Sequence, residues 1–523
     1  MITDRVRKHA EHLAGASKLP AFVYDLDALA SHAADIRQAL TVPGAPEIFY
    51  AAKANPDAPI LRTIAPHVDG IEVASGGELA HVRQVLPDAR LAFGGPGKTD
   101  DELRLALEFG VERIHVESPH ELSRLAALAC EQDRQVDILL RVNLAGDRTG
   151  VALAMSGPFG MDPDLIEDCR DILTGNPHVQ LRGIHAHLAS GLDAEAMVNQ
   201  SREILEWARP WLAKADVTDP EINLGGGMAV DYADPTHRFD WAGYASNVAA
   251  LAQPGEKLRI EPGRAVSVCA GWYVTEVLDV KKAHGQWYAV LRGGTMHIRT
   301  PVTKQHDHPF VVLPRGGSGP AVDDEPVTLV GQLCTPKDVF ARQVPTDHLA
   351  IGDVVAFSMA GAYAWNISHH DFLMHPKPGH HYLSDDWLAV LPRDVGQSGD
   401  GWFAAGCGVG SVVIVEVEPG GEGFAAGVFA VVEAAEGPAV GQGAVEAFDL
   451  AVGLGAVGPG LLHRDVQFGA GLVPGAGFVS RSVVGQDAFD AHAAGGEPGH
   501  GVAEHVDGGG GLLVVADFGV GDA

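Results

Sequence analysis

Residues 47–94 read EIFYAAKANPDAPILRTIAPHVDGIEVASGGELAHVRQVLPDARLAFG. Three short β-rich runs lie in this stretch, Glu47–Lys53, Asp69–Ser75 and Arg90–Gly94, and the chain between them is long enough for a helix. Five more runs continue the series: Arg113–Glu117, Asp137–Asn143, Arg182–Leu188, Glu221–Gly225 and Lys257–Glu261. Most of the gaps hold segments of helical period, such as Asp101–Phe109 and Pro119–Cys130. Eight strands alternating with helices over about 220 residues meet the requirement of a (β/α)8 barrel. The expected fold class is therefore α/β, with a TIM barrel over residues 40–265. A doubly wound sheet needs fewer strands and ranks second.

Beyond Arg264 the texture changes. Val274–Val280, Trp287–Leu291, Pro309–Leu313, Val327–Leu333 and Val354–Met359 are short runs divided by Gly, Pro and Asp, which predicts an antiparallel β domain over residues 266–394. Phe22–Tyr24, in an N-terminal segment 1–39, is expected to contribute a strand to it. From about residue 395 to 523 the chain holds 32 of the 65 glycines, two arginines and 16 acidic residues, with no Lys, Asn, Thr, Met or Tyr. This low-complexity composition predicts a Gly-rich, poorly ordered tail.

The chain has 523 residues, 46% of them apolar, enough for two substantial cores. A formal charge of −31 argues against nucleic acid and anionic membranes as partners. Cys130, Cys169, Cys269, Cys334 and Cys407 show no paired spacing, so neither a disulfide framework nor a zinc site is expected. With no apolar leader in residues 1–20 and no bilayer-length apolar run, the expected location is cytoplasmic.

Barrel enzymes place their chemistry at the C-terminal ends of the strands. Lys53 ends the first run, in Tyr50-Ala-Ala-Lys53-Ala-Asn55-Pro56. Burial is expected to lower its pKa, and a neutral amine can form a Schiff base. Asn223-Leu-Gly225-Gly226-Gly227 follows the seventh run and lets backbone N–H groups approach a phosphate. Glu261-Pro262-Gly263-Arg264 follows the eighth and sets an acid beside a second anion site. Glycine turns are common, but two phosphate-suited loops at these two places are far more specific than either alone. His187 and Ser190 lie in His185-Ala-His187-Leu-Ala-Ser190. A ring-stacking histidine is preferred there to a metal ligand, for want of a supporting acid or cysteine cluster. Five histidines between 369 and 381 read as a polar loop, and no metal is expected.

Taken together these elements resemble the fold-type III pyridoxal-phosphate decarboxylases, the group of the diaminopimelate, ornithine and arginine decarboxylases. The matching pieces are YAAKAN (50–55), EVASGGEL (72–79), HAHLAS (185–190), NLGGG (223–227), EPGR (261–264), LCTPKD (333–338) and GAY (361–363), in family order over roughly residues 20–380. The resemblance implies pyridoxal phosphate as cofactor, an amino-acid substrate and a homodimer with active sites at the interface. Lys53 looks like the Schiff-base lysine and Glu261 like the partner of the pyridine nitrogen. His187 would stack on the ring. Ser190, Gly225, Gly226, Gly227, Gly263, Arg264 and Tyr363 would hold the phosphate. Cys334 looks like the acid that reprotonates Cα across the interface, and Asp338 would face the substrate's distal end.

The chain also departs from the diaminopimelate pattern. Thr335, followed by Pro336-Lys337, stands where those enzymes carry Glu after the cysteine. Ala189 replaces a Gly, Glu72 replaces an Asp, and Phe159-Gly160 follows Pro158 in place of Lys. Loss of the Glu removes an acceptor for a distal ammonium. The Leu333–Asp338 and Gly361–Asp371 stretches are similar to the siderophore-biosynthesis branch, whose members act on units such as a diaminopropionate joined to citrate. Arg299 and Lys337 could pair with its carboxylates, with Thr335 nearby. A diaminopimelate decarboxylase is the alternative. An amino-acid racemase is disfavoured by Glu261, and a pyridoxal-phosphate carrier protein by the β domain bearing Cys334.

Overall fold

The computed structural model describes residues 2–385 apart from 145, 147–152, 156, 305 and 318, together with two short strands, Ile414–Val417 and Val428–Val431. All eight expected runs become parallel strands of one closed barrel: Glu47–Ala51, Gly70–Val73, Leu91–Phe93, Arg113–Val116, Val136–Arg141, Val179–His185, Glu221–Asn223 and Lys257–Ile260. The ring closes where Ile260 pairs with Ile48. Most strand residues are buried, which explains the apolar runs, while Gln180 and Arg182 of the sixth strand and Lys257 of the eighth are exposed. At the barrel mouth the loops end in side-chain caps. Ser75, Thr99 and Ser118 each accept a backbone N–H three residues on, and Thr99 with Glu102 forms a reciprocal capping box.

The opposite end of the barrel is sealed by charge. Arg259 is fully buried against the Phe49 ring, 3.8 Å from its centroid, and pairs with Glu47 at 3.0 Å, Glu112 at 2.8 Å and Glu221 at 2.9 Å. These groups stand at or near the starts of strands, so they carry stability and leave the C-terminal ends for chemistry.

The second layer is a mixed sheet. Ala21–Asp25 pairs antiparallel with Gly271–Ala283 and parallel with Gly379–Leu383. Gln286–Leu291 pairs parallel with Ala321–Val330. The β domain is therefore not purely antiparallel, because long connections bring distant strands side by side. Two of its strands escaped the sequence reading. Val339–Ala350 is interrupted by Pro345 and polar residues and, among the described residues, pairs only with Ala321–Val330, as an edge strand tolerates. In Gly379–Leu383 three of the five residues are histidine or tyrosine. Helix Asp4–Gly15 packs Val6, Ala10 and Leu13 against Val23, Trp272 and Val354 on one face of the sheet.

Of the stretch expected to be a poorly ordered tail, Ile414–Val417 pairs with Gly379–Leu383 and with Val428–Val431, so this part extends the sheet. The rest of that stretch lies outside the described residues. No helix among the described residues is long and apolar enough to cross a membrane.

Candidate active site

The first barrel strand runs into a single tight turn, Ala52–Ala54, whose two alanines are buried and whose middle residue is Lys53. Its Nζ lies 2.9 and 2.7 Å from the two carboxylate oxygens of Glu72, a residue of the second strand. The Glu72 side chain is 4% exposed and that of Lys53 46%. Burial pushes the Glu72 carboxyl above its usual value, with Lys53 opposing and Glu261 adding to the rise. Desolvation works against the ammonium of Lys53 as well, but Glu72 outweighs it and raises the lysine's pKa. The expectation that burial would lower it is therefore corrected: the sequence reading did not anticipate a carboxylate across the strand. The Lys53 carbonyl accepts the Asn366 amide at 2.7 Å, and the Ala54 carbonyl accepts the Tyr363 N–H at 2.7 Å.

Glu261 follows the eighth strand and is buried. Its Oε1 accepts Asn223 Nδ2 at 2.7 Å, and its Oε2 lies 3.1 Å from His185 Nε2. His115 Nε2 is 3.5 Å from Oε1, and the His115 and His185 rings stack at 4.3 Å. Burial holds both imidazoles well below their usual pKa, so both are neutral. These two histidines and Glu261 bring their donor atoms within 4.8 Å of one another.

His187 is neutral too, its pKa pushed down to about 3 by burial first and Arg141 second. Its Nδ1 accepts the Gly226 N–H at 2.8 Å, which assigns the proton to Nε2, 3.3 Å from Ser190 Oγ. The glycine loop could not bear side chains. A Cβ on Gly226 would fall 2.3 Å from the Glu261 carbonyl oxygen, and one on Gly227 (φ 112°) 2.3 Å from that of Ala189. A Cβ on Gly263 would meet Ala54 Cβ at 2.9 Å and the Tyr363 hydroxyl at 3.1 Å. Tyr363 itself is held at φ 48°, costly for a bulky residue, and the Arg264 guanidinium lies 4.5 Å over its ring. Arg264 also donates to the Tyr232 hydroxyl at 2.8 Å.

The Lys53 turn, the glycine loop, Glu261–Arg264 and Tyr363 thus adjoin one another. A lysine amine, a buried acid, a neutral imidazole and a cradle that admits no Cβ fit pyridoxal phosphate. Lys53 would bind it covalently, and the glycine N–H groups would suit its phosphate.

The remaining expected residues fall elsewhere. Cys334 sits exposed on the loop 331–338, and among the described residues no hydrogen bond or ion pair joins it to Lys53. Asp338, expected to face the substrate's distal end, is held within its own chain. It is buried, Oδ1 accepting the N–H and hydroxyl of Thr295 at 2.7 and 2.9 Å and Oδ2 the Leu333 N–H at 2.7 Å. It pins the Cys334 loop to its neighbour. Thr335 Oγ1 accepts the Lys337 N–H at 3.3 Å, and Lys337 is exposed. Arg299 is tied through Ser368 Oγ (2.9 Å) and the Ile367 carbonyl (3.5 Å) to the turn that carries Asn366. Glu72, His115, His185, Asn223 and Asn366 had no assigned role in the sequence reading. His185 and Asn223 stood beside marked residues, whereas His115 had no local signal.

Comparison with known proteins agrees with this geometry. Residues 26–268 match the family described as pyridoxal-dependent decarboxylase, pyridoxal binding domain. The 2-[(L-alanin-3-ylcarbamoyl)methyl]-2-hydroxybutanedioate decarboxylase of Staphylococcus aureus is 44% identical over 376 residues, 69% of this chain and 94% of that protein. Diaminopimelate decarboxylase of Bacteroides thetaiotaomicron is 29% identical over 363 residues, 66% of this chain and 90% of that protein. Among solved structures, diaminopimelate decarboxylase from Helicobacter pylori complexed with L-lysine shares the fold, with TM-score 0.65 and 23% identity over 72% of this chain and 94% of that one.

Proposed function

The chain belongs to the pyridoxal-dependent decarboxylases, and from that premise we propose that it removes the α-carboxylate of an amino acid bearing further carboxylates at its distal end. The substrate class we favour is a diaminopropionate unit joined through an amide to citrate, in siderophore biosynthesis. Pyridoxal phosphate is the cofactor, and when bound its ring takes up the electron pair that the departing CO2 leaves on Cα.

The chain's own residues divide the remaining work. Lys53 would hold the cofactor, with Glu72 steadying the amine whenever it is released. Glu261 would face the ring nitrogen and favour its protonated form. His187, neutral, would cover the ring without opposing that charge. Ser190, Gly225–Gly227, Gly263, Arg264 and Tyr363 would take the phosphate. Cys334 would deliver a proton to Cα, with placement mattering more than its bulk acidity. Its exposure, and the absence among the described residues of any hydrogen bond or ion pair from it to Lys53, favour a homodimer in which each Cys334 serves the partner's site. Mixing Lys53→Ala and Cys334→Ala chains should then restore roughly a quarter of the native activity through hybrids with one intact site.

The observation that carries the substrate class is Arg299. It is tied to the turn that holds Lys53, and among the described residues it has no carboxylate partner in a chain of net charge −31. Lys337 likewise has none. A distal carboxylate would gain these partners, whereas a distal ammonium would meet like charge. The test compares kcat/KM for the citrate conjugate and for meso-diaminopimelate on one preparation. A tenfold or greater advantage to diaminopimelate, about 1.4 kcal/mol, would establish the lysine-pathway reading instead.

A further inference from the structure

We propose that His115 and His185 are positioning residues for Glu261, holding its carboxylate in place inside the barrel. The inference rests on Glu261 serving the cofactor's ring nitrogen.

Four barrel strands meet at this point. His115 comes from the fourth, His185 ends the sixth, Asn223 ends the seventh and Glu261 follows the eighth. Among the described residues His185 Nδ1 is buried without a hydrogen bond, so it is the bare nitrogen of a neutral ring. Nε2 then carries the proton and donates to Glu261 Oε2 at 3.1 Å, while Asn223 donates to Oε1 at 2.7 Å. Donors thus reach both carboxylate oxygens and fix the plane in which Glu261 is held. Neutrality matters, since an imidazolium beside Glu261 would cancel the field a ring nitrogen feels. Burial enforces that neutrality in both rings.

The His115 ring is stacked on His185 at 4.3 Å with 15° between planes, and so fixes the plane from which His185 donates. Its Nε2, also buried and without a hydrogen bond, is turned to Oε1 at 3.5 Å. An ordinary core would fill this volume with Leu or Phe and strand no nitrogen there. A metal ion is the competing use of two histidines and a carboxylate this close. Asn223 and His185 already occupy Glu261 with hydrogen bonds, which favours the positioning role.

The test uses the holoenzyme and reads the visible band of bound pyridoxal phosphate, its dissociation constant, kcat and KM. Gln can place an amide N–H where His185 Nε2 stands, and Leu cannot. His185→Leu should move the band and lower kcat about tenfold or more, with KM and cofactor affinity within about threefold. His185→Gln should restore both band and kcat to within about threefold. A His185→Leu enzyme with native band and turnover, or a His185→Gln enzyme as impaired as His185→Leu, would overturn the proposal. Should His185→Leu fail to fold, His115 decides: His115→Phe, which keeps the stack, should retain the band, and His115→Ala should shift it. The reverse pattern, or equal behaviour of the two, overturns the inference. Glu261→Gln is the control. If it alters neither band nor kcat, the reading of Glu261 itself falls; if it alters both while every histidine variant is native, only this inference falls. Uptake of one Zn2+ that blocks cofactor loading and is lost in His115→Ala would also overturn it.

Discussion

Replacing Glu72 by Gln preserves volume and removes one charge from the pair that holds Lys53. The two contacts, 2.7 and 2.9 Å, correspond to about 6 kcal/mol of Coulomb attraction at an effective dielectric of ~20. The Lys53 side chain is 46% exposed, so solvent screening reduces this to about 2 kcal/mol. At about 1.4 kcal/mol per pKa unit, the lysine should lose at least one unit of its elevation. The sign follows: Glu72 raises the lysine's pKa, so its loss moves the free amine to lower pH. Only the free amine attacks the cofactor's aldehyde. At fixed neutral pH, capture of pyridoxal phosphate by the apoenzyme should accelerate about tenfold in Glu72→Gln. Steady-state kcat should fall, because Lys53, once released by the incoming amino group, loses the carboxylate that fixes it. Stopped-flow absorbance of apoenzyme mixed with cofactor, repeated across pH, measures the first effect. A capture curve that stays in place, or moves to higher pH, would refute the reasoning.

Three further substitutions probe other parts of the molecule. Gly226→Ala puts a Cβ 2.3 Å from a backbone carbonyl that cannot yield cheaply, so cofactor affinity measured by equilibrium dialysis should weaken at least about tenfold. At the sealed end of the barrel, burial disfavours the Glu112 charge, but hydrogen bonds from Arg90 and Arg259 prevail and hold its pKa near 2, below the usual 4.5. A depressed carboxylate stabilises the fold above its usual pKa and loses that contribution as pH falls from about 4.5 to about 2. Glu112→Gln should cost about 1–2 kcal/mol in urea titrations at pH 7, and the gap to the native protein should close toward pH 2. An equal gap at both ends would count against the network. Asp338→Asn should disturb hydrogen bonds of about 1–3 kcal/mol each around the Cys334 loop. Turnover should then fall several-fold with cofactor affinity nearly unchanged, and a parallel loss of both would indicate a general packing defect instead.

The eight barrel strands could be read from the chain because their signal is local. Most are buried, largely apolar runs bounded by turn residues, and Glu47–Ala51 or Leu91–Phe93 needs no partner to declare itself. The glycine loop was legible for a similar reason, since only glycine permits the backbone approach at 225–227. The strand Val339–Ala350 was not, because an edge strand takes its pairing from a neighbour and tolerates Pro345 and polar residues. The hydrogen bonds of Asp338 were not legible either, because its position in a motif says nothing about whether its carboxylate meets the Thr295 and Leu333 donors. The pKa of Lys53 was misjudged in the same way: burial is a property of its own strand, but Glu72 arrives from the next one. The sequence by itself thus determined the fold class, which follows from local period, and its motifs, through the family they resemble, pointed to the cofactor. Only the tertiary structure decided the ionisation of Lys53 and the assembly of His115, His185 and Asn223 on Glu261. Those depend on closure of the barrel, which sets side chains from well-separated strands within hydrogen-bond reach and excludes the water that would otherwise screen them.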